Sequence, residues 1–400
     1  MQVSSNRNVL VAGAGIAGPT LAYWLMRYGF QPTLVEVAPS LRAGGYMIDF
    51  WGLGYDVAEK MGLIAKLRGE GYEFTELRMV DDRGRRVGGL DTRAFKSLAG
   101  GRFFSILRAD LAREIFRTIE NGVEMIFDDS IAGIEKATGA MNVAFRNGAT
   151  RAFDLVIGAD GLHSGVRSIV FGEEDQFEKY LGYHVASFTV KDYPNRIENV
   201  YVSYTVPGRQ VARYALRGNR TAFLFVFAGE KKLDPAPHDL TARKQLLRNV
   251  FQGGGWETGK ILDAMDAADD LYFDSVSQVR MPQWSHDRVA LIGDAAFCPS
   301  LLAGQGAGFA MAAAYMLAGE LFRARGDYGA AFDKFERQFR PFIGGKQRAA
   351  KRLGAWFAPK TRLGLGVRNV VTRMTSLPTL GGWMLNRMLA DRLVLPDYES

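Results

Sequence analysis

"NVLVAGAGIAGPTLAYWLMRYGFQPTLVEV" (8–37) decides the fold. "NVLVAG" (8–13) reads as a short apolar strand, "PTLAYWLMRYG" predicts a helix ending at Gly29, and "QPTLVEV" is a second strand. A strand, a helix and a strand within the first 37 residues form the opening βαβ unit of a nucleotide-binding sheet. Between the first strand and the helix lies "GAGIAGP". Gly13 permits a tight turn, Gly15 lets the backbone approach a pyrophosphate, and Gly18 lets helix and strand pack closely. Unpaired N–H groups at the helix start meet the negative charge. Glu36 ends the second strand, twenty-one residues after Gly15, where a carboxylate accepts hydrogen bonds from adenosine ribose hydroxyls. An acid there disfavours a 2′-phosphate, so NADP is not the expected occupant of this cradle. The occupant is a dinucleotide, NAD or FAD, and the motif alone does not choose between them.

Outward from this unit, composition sets bounds. The chain has 400 residues, 48% hydrophobic and 23% charged, with 46 Gly and 13 Pro. That length implies two or three domains or one with a large insertion, and the glycine content suits tight turns within folded elements. A single cysteine, Cys298, excludes an internal disulfide and a cysteine-based zinc site, and a cytoplasmic, reducing setting is expected. Four dispersed histidines show no metal-ligand spacing, so no metal is expected. Two nineteen-residue runs, 8–26 and 301–319, carry no charge. Both are rich in Gly and Ala and read as buried elements of a layered core, so no integral membrane segment is expected. The net charge of +7 resides in 341–400, where ten Lys/Arg face three acids. Those basic residues are interspersed with Leu, Phe, Trp and Val, the pattern of a solvated helical face and not of a nucleic-acid surface.

"LRADLAREIFRTIENG" (107–122) predicts an amphipathic helix closed by Gly122. "VEMIF" (123–127), "MNVAFRNG" and "FDLVIGAD" (153–160) read as strands returning to the first sheet. From about 181 the texture changes to long strands with turns at Pro207–Gly208 and Gly218–Asn219, a mostly antiparallel segment. "DDRGRRVGG" reads as a turn. "DRVALIGDAA" returns to buried-strand texture, a long helix follows to about 324, and 327–395 is predominantly helical. The expected architecture is α/β: a Rossmann-like FAD-binding domain with an inserted, mostly antiparallel β-sheet substrate domain and a C-terminal helical segment. The first domain takes 1–72, 101–180 and 274–340, the substrate domain 73–100 and 181–273, and the C-terminal helices 341–400.

Two further stretches bear a resemblance. "VIGADGLHSGVRSIVFG" (156–172) resembles the second fingerprint of the para-hydroxybenzoate-hydroxylase-like, class A flavoprotein monooxygenases. "RVALIGDAAFCPSLLAGQGAGFAMAAAYMLAGEL" (288–321) resembles their third, and "GGGWETGKILDAMDAADDLYFDSVSQVRMPQW" (253–284) is similar to the branch of tetracycline-inactivating and aromatic-polyketide hydroxylases. The resemblance implies noncovalent FAD, with NADPH or NADH as transient co-substrate. It places Gly13, Gly15, Ala17 and Gly18 at the pyrophosphate and Glu36 at the ribose. Arg42 and Arg108 match flavin-contacting arginines, and Asp160 with Gly161 the aspartate–glycine pair linked to FAD and reductant. Asp294 would bind the ribityl or pyrophosphate region, and Pro299, Gly304, Gln305 and Gly306 would form the loop and helix start against the isoalloxazine. His163 reads as an ordinary loop residue and Cys298 as a small buried hydrophobe. Where many relatives carry His, this chain has Phe297, which implies a bulkier or more apolar substrate than a simple phenol.

The implied activity is oxygenation of a polycyclic aromatic or enolic small molecule with NAD(P)H and O2 through a flavin C4a-hydroperoxide, including inactivation of tetracyclines as a form of antibiotic resistance. Such chemistry needs orientation and dryness more than an acid–base pair, and no protein base is identified. Phe188, Tyr204, Tyr214, Phe223 and Phe225 are candidates for the pocket roof. The C-terminal helices either cover the pocket, as a gatekeeping helix does in the tetracycline-inactivating relatives, or form a scaffold or dimer surface. Trp356, Phe357, Leu363, Trp383 and Leu385 need cover in either case. The protein is expected as a monomer or homodimer without a nucleic-acid partner. An isoprenoid-type FAD-dependent reductase and a noncatalytic FAD-binding protein are the alternatives.

Overall fold

Val9, Leu10, Val11, Val156 and Ile157 are completely buried, as strands must be in a parallel sheet covered on both faces. The computed structural model describes residues 6–42, 46–92, 99–233, 239–350, 353–375 and 393–398. Its six-stranded sheet runs β17 (Ser285–His286), β18 (Val289–Leu291), β11 (Leu155–Gly158), β1 (Asn8–Ala12), β2 (Gln31–Glu36) and β7 (Glu124–Phe127). β1 lies at its centre in parallel register, Val9 opposite Leu155 on one side and Pro32 on the other. Only the short edge strand β17 is antiparallel. Helix α1 (Ala17–Arg27) packs against α9 (Gly306–Arg323), where Trp24 meets Tyr315 edge-on with ring centroids 4.8 Å apart. The two uncharged runs are thereby explained. Residues 8–26 divide into β1, the glycine turn and most of α1, and 301–319 into a 3-10 turn (Leu301–Ala303) and α9. Among the described residues no helix is long and apolar enough to cross a membrane.

The second large sheet has seven strands. In order they are β16 (Tyr272–Val279), β12 (Glu178–Lys191), β15 (Arg220–Ala228), β14 (Arg209–Leu216), β13 (Val200–Val206), β4 (Glu76–Val80) and β5 (Arg86–Asp91). β16 runs across residue 273, where the sequence reading ends the inserted segment. "DDRGRR" is the β4–β5 turn, closed by Gly84 N–H donating to Asp81 O at 3.0 Å. Alternation gives the sheet two unlike faces. Phe188, Tyr204, Phe223 and Phe225 form a core with Leu247 and Phe251 of α6 (Leu240–Phe251) and Ile261 of α7 (Thr258–Met265). These four aromatics are therefore outer-face core and not pocket roof. Tyr214 points the other way, and its hydroxyl accepts from Met47 N–H at 3.1 Å.

Two other local expectations are corrected. "MNVAF" does not return to the first sheet. It forms β9 (Ala140–Phe145) of a separate antiparallel sheet with β8 (Ile131–Ala137) and β10 (Thr150–Phe153), in which a hairpin pairing satisfies the backbone locally. The helix predicted to reach residue 122 is regular only over α4 (Arg108–Phe116). Beyond it, Ile119 N–H bonds to Phe116 O, a tighter i→i+3 turn.

A short pair, β3 (Met47–Phe50) and β6 (Phe104–Leu107), lies between the two large sheets together with α2 (Leu53–Lys60) and α3 (Ile64–Glu70). α5 (Gly165–Val170) and α8 (Asp294–Phe297) are single turns beside β11 and β18. α10 (Tyr328–Ala350) buries Phe332, Phe335, Phe339 and Ile343 in the main core. α11 (Leu353–Phe357) and α12 (Arg362–Thr375) follow, and α12 lies beside β5. Arg368 of α12 is buried, and its Nη1 donates to Thr205 Oγ1 at 3.2 Å and Phe357 O at 3.1 Å. Burial lowers it to about 10. Trp356 and Leu363 are exposed and not covered, whereas Trp383 and Leu385 lie outside the described residues. The segment 393–398 returns to α9. The Tyr398 ring presses on Gly319, its hydroxyl donates to Glu320 Oε1 at 2.8 Å, and Tyr315 OH donates to Pro396 O at 2.8 Å.

Candidate active site

The glycine turn after β1 is fixed by contacts that exclude any side chain. Gly13 has φ +101°, and a Cβ there would lie 2.6 Å from Ala159 O. On Gly18 a Cβ would lie 1.9 Å from Gly13 O. Gly15 differs, because the nearest atom to its Cβ position is Arg108 Nη2 at 3.5 Å. The turn is thus closed toward the sheet and open toward a guanidinium. Glu36, at the end of β2, clasps this turn: Oε2 accepts from Ala14 N–H at 2.8 Å and Oε1 from Ala38 N–H at 3.0 Å. Ala17, the first residue of α1, abuts Gly293, its Cβ 3.2 Å from the Cβ position there.

Gly293, with φ +63°, turns the chain from β18 into α8 and delivers Asp294 to the same place. Asp294 Oδ1 lies 3.6 Å from the Cβ position of Gly306, the first residue of α9. Burial raises the Asp294 pKa, opposed by the nearby Arg108 charge and a hydrogen bond from Cys298. Burial and the same carboxylate push the Cys298 thiol well above its ordinary value, so it stays protonated. Pro299 and Gly304 bound the intervening loop, and Gly304 ends its 3-10 turn at φ +67°. Two glutamines that the sequence reading missed hold this loop. Gln278 Nε2 donates to Pro299 O at 2.7 Å, and Gln347 Nε2 lies within donating distance of Phe297 O and Cys298 O at 3.2 and 3.3 Å. No sequence signal marked them, because an isolated Gln on a strand or helix is ordinary.

Phe297 is corrected. It packs against Trp284 and Phe339 with centroids 4.7 and 5.4 Å apart, inside the main core. It therefore carries no information about substrate size. Asp160 lies beside the glycine turn through its backbone, its Cα 2.8 Å from the Gly13 Cβ position. Its carboxylate turns away to accept from Ser164 Oγ at 2.5 Å and Val166 N–H at 3.0 Å, capping α5. His163 is held between Glu174 at 3.0 Å and Asp274 at 3.3 Å. Hydrogen bonding to Asp274 and then Glu174 raises it to about 10. Arg42 lies exposed in the loop after β2.

Opposite the glycine turn stands a wall of phenols. Tyr46 and Tyr272 face each other at 5.4 Å between centroids, and Tyr272 OH donates to Asp274 Oδ2 at 3.1 Å. Burial raises both phenols, with the positive Arg108 opposing. Tyr201 stacks on Tyr214 at 5.7 Å on the inner face of the seven-stranded sheet. Asp49 accepts from Ser105 Oγ at 2.6 Å and lines a crevice with Trp51, Gly54, Gln305 and Gly308. Burial raises its pKa. Of this wall the sequence reading named only Tyr214. The others sit on separate elements, and only the docking of the two sheets joins them. The arrangement can hold an anionic dinucleotide along the glycine turn and α9, with a planar molecule between it and the phenols. Among the described residues no group of three His, Cys, Asp or Glu could hold a metal ion.

A family model described as FAD binding domain matches residues 6–330. A flavin-dependent monooxygenase from Legionella longbeachae serogroup 1 (strain NSW150) is 33% identical over 406 residues, covering 100% of both chains. The crystal structure of tetracycline destructase Tet(55) superposes with a TM-score of 0.84 at 31% identity, covering 99% of this chain and 100% of that one. Tetracycline destructase Tet(51) gives 0.83 at 32% identity, covering 98% and 99%.

Proposed function

Because this chain belongs to the FAD-binding family of class A flavin-dependent monooxygenases, we propose that its substrate is a polycyclic phenol or enol, with a tetracycline as the first to test. Its likeness to two tetracycline destructases over nearly their whole length supports this substrate class. The observation that carries the reading is Arg108, which reaches from the start of α4 to Gly15 while lying near Tyr46, Tyr272 and Asp294. One cation thus serves both the dinucleotide cradle and the phenol wall.

The residues present fit FAD. The open side of Gly15 leaves room for a pyrophosphate, and a Cβ at Gly13 or Gly18 would break the turn that presents it by colliding with Ala159 O or Gly13 O. Gly13, Gly15, Ala17 and Gly18 would hold that pyrophosphate, and Glu36 the ribose. Asp294 and Arg108 would flank the ribityl chain, and Pro299, Gly304 and Gly306 would bound the isoalloxazine. Asp160 would act by shaping its turn, and Arg42 would contribute from the loop after β2. Bound there, FAD supplies the two-electron chemistry by which NADPH or NADH activates O2 for transfer of one oxygen atom.

The protein's own part is orientation and proton placement. Tyr46 stays protonated well above neutral pH and can donate to an anionic substrate oxygen, while Tyr272 keeps its proton toward Asp274 and packs beside it. Arg108 stabilises the same negative charge, favouring the enolate or phenolate that acts as nucleophile. The inner sheet face and α12 would exclude water. The test is NADPH and NADH oxidation by the FAD-loaded protein with tetracyclines, anthracycline precursors and simple phenols, and with labelled O2. Substrate-stimulated oxidation and a product carrying one labelled oxygen are expected. A reduced, unlabelled product would instead identify a reductase, and no turnover across the panel would leave an FAD-binding protein.

A further inference from the structure

On the outer face of the seven-stranded sheet, remote from the phenol wall, lies a groove of about 380 Å³ that the reaction does not use. Its floor is a rung of three residues in register, Arg78 of β4, Val202 of β13 and Arg213 of β14. The β4–β5 turn forms one wall and Trp256, before α7, the other. Arg213 is almost wholly buried, with 5% of its side chain accessible. Its Nε and Nη2 bind Glu257 at 2.9 and 3.1 Å. Arg78 likewise uses Nε and Nη2 on Glu76, at 3.2 and 2.6 Å. Among the described residues, Nη1 of each arginine and the whole guanidinium of Arg83 have no acceptor. Guanidinium groups carry five donors, and these open into the groove, which the carboxylates of Asp82 and Glu257 also line.

The other wall is aromatic. Trp256 has φ +53°, a left-handed conformation rare for a bulky residue. It is held there by its N–H donating to Asp82 O at 2.7 Å. Its indole meets the Arg213 guanidinium at 5.5 Å from the ring centroid, and its Cδ1 lies 3.5 Å from the Gly84 Cβ position. Backbone strain kept at one position, presenting a ring beside unmatched donors, is the pattern of a ligand clamp. The volume suits a small molecule.

We propose that this groove is a second binding site, separate from the flavin and its substrate, for a planar aromatic ring bearing a phosphate or carboxylate. The ring stacks on Trp256, and the anion takes the free donors of Arg83, Arg78 and Arg213. The proposal stands independently of the oxygenation chemistry.

The test is calorimetric titration of the FAD-loaded protein with AMP and with benzoate, and with adenosine and inorganic phosphate as the separated halves. Saturable binding of benzoate, or of AMP about tenfold or more tighter than adenosine or inorganic phosphate, is expected, with the visible flavin spectrum unchanged. Which of the two binds tells a phosphate source from a carboxylate source. Arg83→Gln, at an exposed position, should weaken binding about tenfold. Trp256→Phe should retain most of it, and Trp256→Leu should lose it. No saturable binding of either anion, undiminished binding by Arg83→Gln, phosphate as tight as AMP, or binding that perturbs or displaces the flavin would each overturn the proposal.

Discussion

A methyl group on Gly18 would sit 1.9 Å from Gly13 O, so the first turn of α1 and the end of β1 could not both keep their places. Overpacking of this kind costs roughly 1–3 kcal/mol, and here it falls on the dinucleotide cradle. Gly18→Ala is expected to weaken FAD roughly ten- to a hundredfold, measured by fluorescence titration of the apoprotein. Histidines give a second residue-scale expectation, with opposite signs. His163 is raised to about 10 by its hydrogen bonds to Asp274 and Glu174. Its contribution to stability is fully present below its ordinary value of 6.5 and is lost as pH rises through about 10. His184 is lowered to about 4 by burial between Phe227 and Phe273, and Leu233 N–H donates to its Nε2 at 2.9 Å. Its contribution is present above 6.5 and is lost as pH falls through about 4. The melting-temperature difference between the wild type and His163→Gln should therefore shrink above neutral pH, and that for His184→Gln should shrink below it. At this scale the glycine motif and Glu36 were legible because their spacing encodes a geometry. Tyr46, Tyr272 and Asp49 were not, since no local pattern distinguishes a pocket phenol from a core one.

Among the elements, the loop between α8 and α9 depends on α10. Gln347 Nε2 donates toward Val279 O at 2.7 Å and toward two loop carbonyls, all of them buried contacts. Gln347→Leu would remove these bonds, Cys298 O alone keeping one from Val279 N–H, at a cost of roughly 1–3 kcal/mol. Both a lower melting temperature and weaker FAD binding are expected, because the same loop carries Pro299 and Gly304. Arg368 does the corresponding work for α12. Its hydrogen bonds tie α12 to β13 and α11, and charged bonds of this kind are worth roughly 1.5–3 kcal/mol each. Arg368→Ala should raise the rate of limited proteolysis around 358–361 and raise KM more than it lowers kcat. The sequence made the helices visible through their apolar period. It could not assign the aromatics of β12, β13 and β15, because alternation fixes that two faces differ without saying which is outer.

Across the whole molecule, the site exists only where the two large sheets meet through β3 and β6. FAD binding should therefore stabilise the fold as a unit. At free FAD a hundredfold above Kd, linkage adds about 2.7 kcal/mol, readable as a single coincident shift of the unfolding transition by tryptophan fluorescence and far-UV dichroism. Two separate transitions, only one of them responding to FAD, would show that the sheets unfold independently. The alternation of sheet textures was legible in the sequence, whereas the separate β8–β10 sheet was not. Its strands pair with their neighbours in sequence as hairpins, and no local pattern separates such a strand from one that joins a sheet already begun.

The Tyr398 anchor couples two contacts that lie far apart in sequence. Arg368 fixes α12 on β13, and Tyr398 seats the segment 393–398 against Gly319. The entropy of bringing two points of one chain together grows only with the logarithm of their separation. Each anchor, once made, therefore raises the effective concentration at which the other re-forms. Loss of the single Tyr398 ring would loosen the hold of α12 on β13 without touching it, although more than twenty positions separate that ring from α12.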